Sequence, residues 1–287
     1  MLTPECLAWE QVERYRDRTF RRLKSRRVQG APSALNFIND VGFCTAFSRH
    51  EHLPCLWVAI CGERHPRIPV HTHSDYAIGL TWDLKDRLPD RRQVFYARLL
   101  HGKPSLVSLE YLPYFYRLFG PHGREAGSGA LSLTEQGILD WITTHPPQPT
   151  SAIRRQGDFR GYLSKARFEK AVARLQSLLY VVKTETAYEP KFTYYWGLFE
   201  KTFPEAARRS RRITREEAAR KILEKYFRVA LCARRRDLVS IFSGFDLTLM
   251  AETLDRLVDE GVLLAGARIA GASGSWYLSR HAMMTSY

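Results

Sequence analysis

Cysteine is scarce and scattered. The five residues Cys6, Cys44, Cys55, Cys61 and Cys232 form no Cys-x-x-Cys pair. An odd, dispersed set excludes a disulfide framework and a structural zinc, so each reads as a small buried thiol. No apolar run reaches the about 18 residues that a membrane-spanning helix needs. The stretch from Met1 to Glu10 carries acids and no apolar core, so no secretory signal is expected. Gly-x-Gly-x-x-Gly and Gly-x-x-x-x-Gly-Lys-Ser/Thr are both absent, as is Gly-x-Ser-x-Gly. The usual phosphate loops and the serine-hydrolase elbow are thereby excluded, and no cofactor is expected. Disorder is excluded by what is present, 45% hydrophobic and 12% aromatic residues among 287. A cytoplasmic protein is the expectation.

Acid is also in short supply. Lys and Arg number 44 against 30 Asp and Glu, a formal charge of +14. The excess is local. From Arg14 to Arg27 there are 8 basic residues and 1 acid, net +7, and from Arg208 to Arg236 there are 12 and 3, net +9. The rest of the chain is therefore slightly acidic. Charge concentrated in this way is the electrostatic footprint of a polyanion partner.

A Gly-rich break, Gly120 to Gly129, separates an aromatic-rich N-terminal segment, residues 1–120, from two stretches that read as copies of one plan, 131–205 and 206–287. In the first copy Ser132 or Thr134 caps a helix running to Thr144, and a second helix spans Thr150 to Gln156. Ser164 caps a third, with Phe168, Val172, Leu175 and Leu179 on one face. A strand pair follows, Tyr180–Lys183 and Phe192–Trp196. In the second copy Thr214 precedes a helix to Phe227, a short helix spans Arg236–Phe242, and Asp246 caps a third that Gly261 ends. Val262–Leu264 and Trp276–Leu278 then flank a Gly/Ser tip. Arg174-Leu175 and Arg256-Leu257 align the two, 82 residues apart. Helix, short helix, longer helix and two-stranded wing is the winged helix-turn-helix plan, which places one helix in the major groove of DNA. The fold class expected is mainly α (α+β), with tandem winged modules.

The N-terminal segment reads as a basic helix from Trp9 to Arg27, then short helices at Ser33–Val41, Leu53–Cys61, Asp90–Leu100 and Ser105–Phe119. These are compatible with a further helix-turn-helix unit. His71, His73 and Asp75 would share one face of a strand, but the segment reads as a polar loop rather than a metal site, and no metal is expected. Asp83 and Asp86 are spaced to share a helical face after Trp82. The aromatic runs at Tyr114–Tyr116 and Tyr194–Trp196 read as packing, with extruded bases the alternative use of such faces.

Phe192 to Ala206, then Glu216 to Phe227, then Ala233 to Phe242, resemble the bacterial winged-helix DNA glycosylase family (AlkZ-like). The resemblance is best over residues 165–265 and only suggestive over 30–120. It implies tandem winged helices around a DNA-binding channel. The family also carries a Gln-x-Gln or Gln-x-Asp pair after an N-terminal helix and a glycine. Those groups position water and stabilise positive charge developing on the sugar. The nearest stretch here, Val41 to Phe47, holds neither glutamine nor carboxylate.

The expectation is therefore a protein that binds double-stranded DNA and is atypical or non-catalytic, nucleoid-associated, with protein partners unspecified. The phosphate contacts expected are Arg14, Arg18, Arg21, Arg22, Arg26 and Arg27 in the first run, and Arg208, Arg209, Arg211, Arg212, Arg234, Arg235 and Arg236 in the second. Lys165 and Arg167, with Lys170 and Arg174, would face bases from one third helix, and Thr248, Glu252 and Arg256 from the other. The alternative is an active glycosylase with a non-standard catalytic residue. Asn36, Asn39 and Asp40 share a helical face just before Gly42, and Asp40 is the candidate.

Overall fold

The computed structural model describes residues 6–122, 130–159, 161 and 163–280. Most of the break expected at Gly120–Gly129 lies outside them. One order of elements occurs three times: a helix, a short strand, a short helix, a longer helix and a hairpin. The first set is α2 (Ala31–Val41), β2 (Phe43–Thr45), α3 (Leu56–Cys61), α4 (Tyr76–Asp90), β3 (Val94–Arg98) and β4 (Pro104–Ser108). After α5 (Leu112–Phe119) comes the second: α6 (Leu133–Thr144), β5 (Gln148–Pro149), α7 (Thr150–Gln156), α8 (Lys165–Ser177), β6 (Val181–Ala187) and β7 (Thr193–Leu198). Two short helices, α9 (Phe199–Thr202) and α10 (Pro204–Ser210), lead to the third. It comprises α11 (Arg215–Ala230), β8 (Cys232–Ala233), α12 (Arg235–Ile241), α13 (Leu247–Asp259), β9 (Leu263–Ala270) and β10 (Ala272–Ser279). In each set the short strand pairs antiparallel with the second hairpin strand. The third sheet gains a fourth strand, β1 (Cys6–Ala8), parallel to β9 and followed directly by α1 (Trp9–Thr19). The fold is α+β.

Side-chain caps define the later sets. Ser132 accepts from the Glu135 amide while Glu135 accepts from the Ser132 amide, a reciprocal box. Ser164, Thr214 and Asp246 accept from the first-turn amides of α8, α11 and α13.

The N-terminal set departs from expectation. The basic helix stops at Thr19, because Arg21 turns the chain with φ 55°, and only a single 3-10 turn follows at Lys24–Arg26. The stretch Asp90–Leu100 is not a helix but the end of α4 and the strand β3. Val94 to Ala97 are all buried, so the period-2 pattern that marks a half-exposed strand is missing. Ser105–Phe119 divides into the end of β4 and α5, with Pro113 in the first helical turn, where its missing amide costs nothing. His71–Asp75 is irregular, as the polar-loop reading expects. It forms a 3-10 turn, and Asp75 caps α4 by accepting from Ile78 at 2.8 Å.

The first and third sets share one apolar core. Phe43 of β2 meets Phe115 of α5 at 5.3 Å and Phe242 at 5.8 Å, ring to ring. The middle set keeps a core of its own around Ile138, Ile142, Phe168, Leu175 and Trp196.

Candidate nucleic-acid interface

α1 is fastened to the far end of α11. Arg16 is fully buried, and its Nε and Nη2 donate to the carbonyls of Ala230 and Cys232 at 3.0 Å each. Thr19 Oγ1 donates to Val229 at 2.7 Å, and the Tyr15 hydroxyl donates to the Arg228 carbonyl. The carbonyls of Arg228, Val229 and Ala230 are ones that a helix end leaves without intrahelical partners, and a guanidinium there also meets the negative end of the helix dipole. The lock sets two distant parts of the chain side by side.

The result is a cleft of about 640 Å³ lined by Tyr15, Arg18, Thr19, Arg21, Arg26, Asp40, Val41, Arg228 and Val229. Four guanidiniums face it against one carboxylate. Arg18 is exposed one turn beyond exposed Arg14 on α1, and Arg26 is exposed on the 3-10 turn. Arg21 reaches across the cleft wall. It donates to the Ser33 carbonyl at 3.1 Å and to Asp40 Oδ2 at 2.7 Å, and lies over the Phe37 ring. Asp40 is 66% exposed at its side chain, so it lies in a solvated ion pair and not on a dry floor. Asn36 and Asn39 are exposed nearby on α2 but do not line the cleft.

The remaining basic residues divide by what holds them. Arg22 is buried, with its guanidinium 3.3 Å from Glu13 and 3.2 Å from Asp17, so it is withdrawn from any phosphate. Burial lowers its pKa, and the two carboxylates counter that only in part. Arg234 is committed too, forked on Asp237 at 2.8 and 3.0 Å and lying over Trp276. Arg27, Arg209, Arg212, Arg235 and Arg236 are exposed. Arg208 and Arg211 pair at the surface with Glu205 and Glu200. Lys165, Arg167 and Lys170 are exposed on α8, where Arg174 donates to Ala130. Thr248, Glu252 and Arg256 are exposed on α13. None of these other residues lines the cleft. Arg228, which the charge count contains without singling out, does.

β2 occupies the position where the family's polar pair is expected. Cys44 and Thr45 are buried there, and Thr45 Oγ1 donates to the Ser48 carbonyl at 2.6 Å. Phe47, just beyond, packs on Trp82 at 5.2 Å.

A second charged assembly joins α4 to β6. Asp83 and Asp86 do not share a face: Asp83 is exposed and pairs with Arg87, while Asp86 is buried. Asp86 Oδ1 accepts from Lys85 at 2.8 Å and Lys183 at 3.1 Å, and Oδ2 accepts from the Tyr188 hydroxyl at 2.7 Å. Lys183 also reaches Asp90 at 2.9 Å. Burial opposes the charge on Asp86, but Lys183, Lys85 and Tyr188 together hold its carboxyl below the ordinary range. Among the described residues no group of three His, Cys, Asp or Glu side chains is disposed to hold a metal ion.

The fold has a counterpart among solved structures. The Streptomyces sahachiroi DNA glycosylase AlkZ matches with a TM-score of 0.59 at 10% identity, over 98% of this chain and 72% of that one. The chain itself belongs to the AlkZ-related family, whose model matches residues 28–243. The resemblance drawn mainly from residues 165–265 therefore holds and extends through most of the N-terminal segment. No curated protein sequence matches the chain.

Proposed function

We propose that this protein binds double-stranded DNA as a tandem winged-helix member of its family, without the family's usual excision chemistry. The observation that carries the reading is the cleft. Arg18, Arg21 and Arg26 come from one basic run and Arg228 from the other, and the fold closes them around one concavity. Charge drawn from distant segments to one concave face suits the phosphate backbone, which supplies most non-specific affinity. The threefold order of elements, each with its short strand completing a hairpin, supports reading every set as a winged helix. On this reading the chain divides into the N-terminal region 1–120 and the winged units 131–205 and 206–287. A cytoplasmic, nucleoid-associated location goes with it. No helix among the described residues is long and apolar enough to cross a membrane.

The non-catalytic element rests on β2. A buried thiol and a hydroxyl already donating to a carbonyl offer no charge to a developing oxocarbenium. One observation favours a second reading, an active glycosylase excising alkylated or crosslinked bases: the carboxylate among the cleft residues is Asp40. Duplex affinity measured from low to moderate salt tests the first reading. It should fall steeply, and a flat response overturns it. Base release from alkylated or crosslinked duplex tests the second. Under it, Asp40→Asn lowers excision by about 10²-fold and leaves duplex affinity nearly unchanged. No excision by the wild-type protein leaves binding alone.

A further inference from the structure

Two aromatic stretches that the duplex reading does not use meet at one place. Trp82 on α4 packs on Phe47 at 5.2 Å, and the Lys85 ammonium lies 4.3 Å from the Trp82 ring and 5.5 Å from that of Tyr194. Tyr194 meets Phe192 at 5.1 Å, and Phe192 meets Tyr188 at 5.6 Å. The rings thus follow one another from the end of β2 to the β6–β7 connection. Three of them are open to solvent, Trp82 at 48%, Phe192 at 46% and Tyr188 at 55%. Tyr188 is also held in place. Its hydroxyl is tied to buried Asp86, which itself is held by Lys85 and Lys183. Such an anchor holds the Tyr188 ring before any ligand arrives, so that binding orders it at little further entropic cost.

Phe192 and Tyr194 also form part of the wall of a groove of about 550 Å³ in the middle set, where Arg154, Lys165 and Lys191 supply cations and Glu169 and Glu189 acids. Arg154 is engaged by the Leu163 carbonyl, and Lys165 shares Glu169 at 3.7 Å. Lys191 has no hydrogen-bond or ion-pair partner among the described residues.

We infer that this line of rings and its groove hold an unpaired segment of a DNA strand, with bases stacked on Phe192 and Tyr188 and phosphate on Lys191. The inference rests on the DNA-binding reading and names a second subsite for it. A paired base presents only its edge in a groove, so a ring face is of use only to a base that has left the stack. Exposed aromatics beside cations are the pattern by which proteins hold single strands.

The test compares two labelled probes of equal length by fluorescence anisotropy, a continuous duplex and the same duplex interrupted by a short single-stranded gap. The wild-type protein should bind the gapped probe about tenfold more tightly or better, the scale of one or two stacked bases. Phe192→Ala with Tyr188→Ala should abolish that preference and leave affinity for the continuous duplex unchanged. Both side chains are about half exposed, but Tyr188 also donates to buried Asp86, so Tyr188→Phe, which removes that bond and keeps the ring, serves as the control and should keep the preference. A 2-aminopurine in the gap should be quenched by the wild type and not by the double variant. Equal affinities for the two probes, or a preference that survives the double substitution, overturn the inference while the duplex reading stands. Failure to bind either probe overturns both. A dimer in sedimentation that Phe192→Ala dissolves assigns the rings to a second copy of the chain and also overturns it.

Discussion

Acidification from pH 7 to pH 5 should weaken the joint between α1, the first set and the third set, and His52 sets the size of the effect. The imidazole is 4% exposed, edge-on to Trp9 at 6.3 Å and Trp276 at 5.9 Å, with its Nε2 3.7 Å from Asp237. Its Nδ1 has no hydrogen-bond partner among the described residues. Burial first, then the Arg16 guanidinium, push its pKa down to about 3 against the partial opposition of Asp237. The folded value lies below the unfolded value of about 6.5. As pH falls from 6.5 toward 3, the unfolded chain takes up a proton that the folded chain refuses. Stability fully present above pH 6.5 is thus lost through that window at about 1.4 kcal/mol per pH unit, or about 2 kcal/mol by pH 5. Urea unfolding at both pH values, for the wild type and His52→Gln, isolates the contribution of the His52–Asp237 pair, since carboxylates outside it, such as Asp86, act alike in both proteins. The wild type should lose about 2 kcal/mol more than the variant. Equal losses would refute the argument, because they mean that the buried ring accepts its proton without cost.

Three further outcomes follow from the same geometry. Arg18→Ala and Arg228→Ala should each lower the slope of log K against log[salt] for duplex binding by about 1, whereas Arg22→Ala should leave the slope unchanged and lower the denaturation midpoint. Lys183→Met should destabilise by about 3 kcal/mol or more in denaturant unfolding, since it strips Asp86 and Asp90 of a buried partner; adding Asp86→Leu should not recover that loss, because it takes from buried Lys85 the carboxylate it donates to. Arg16→Met should cost about 1.5–3 kcal/mol in the same assay, the scale of a charged donor withdrawn from carbonyls, and should weaken duplex binding because the cleft walls lose their fastening.

The two later sets were legible because the start of each long helix carries a polar cap and its buried face a regular apolar period, from Ser132 to Asp246. The N-terminal set was not, for a specific reason. β3 is covered on both faces, which erases alternation, and α4 starts from an aspartate embedded in a polar turn. The basic runs were visible as totals, but net charge does not say which guanidiniums are free. Arg16 and Arg22 are consumed by Glu13, Asp17 and carbonyls more than 200 residues away, and only packing reveals that. Spacing alone paired Asp83 with Asp86, yet the β6 hairpin covers one and leaves the other in water.

The shared core has a consequence in time. Phe20, Phe43 and Phe115 are sealed by Phe242, Leu254 and Leu263, while the middle set builds a core of its own and lends Leu179 and Val182 to the shared one. At roughly 5–20 residues per second of synthesis, the N-terminal apolar surface waits of the order of ten seconds or more for its cover. The middle set can form its own core within that interval and dock β6 on α4, and the third set then closes on the first in a single late step. The nascent protein is accordingly most exposed to aggregation and to chaperone capture after the middle set has folded and before α13 emerges.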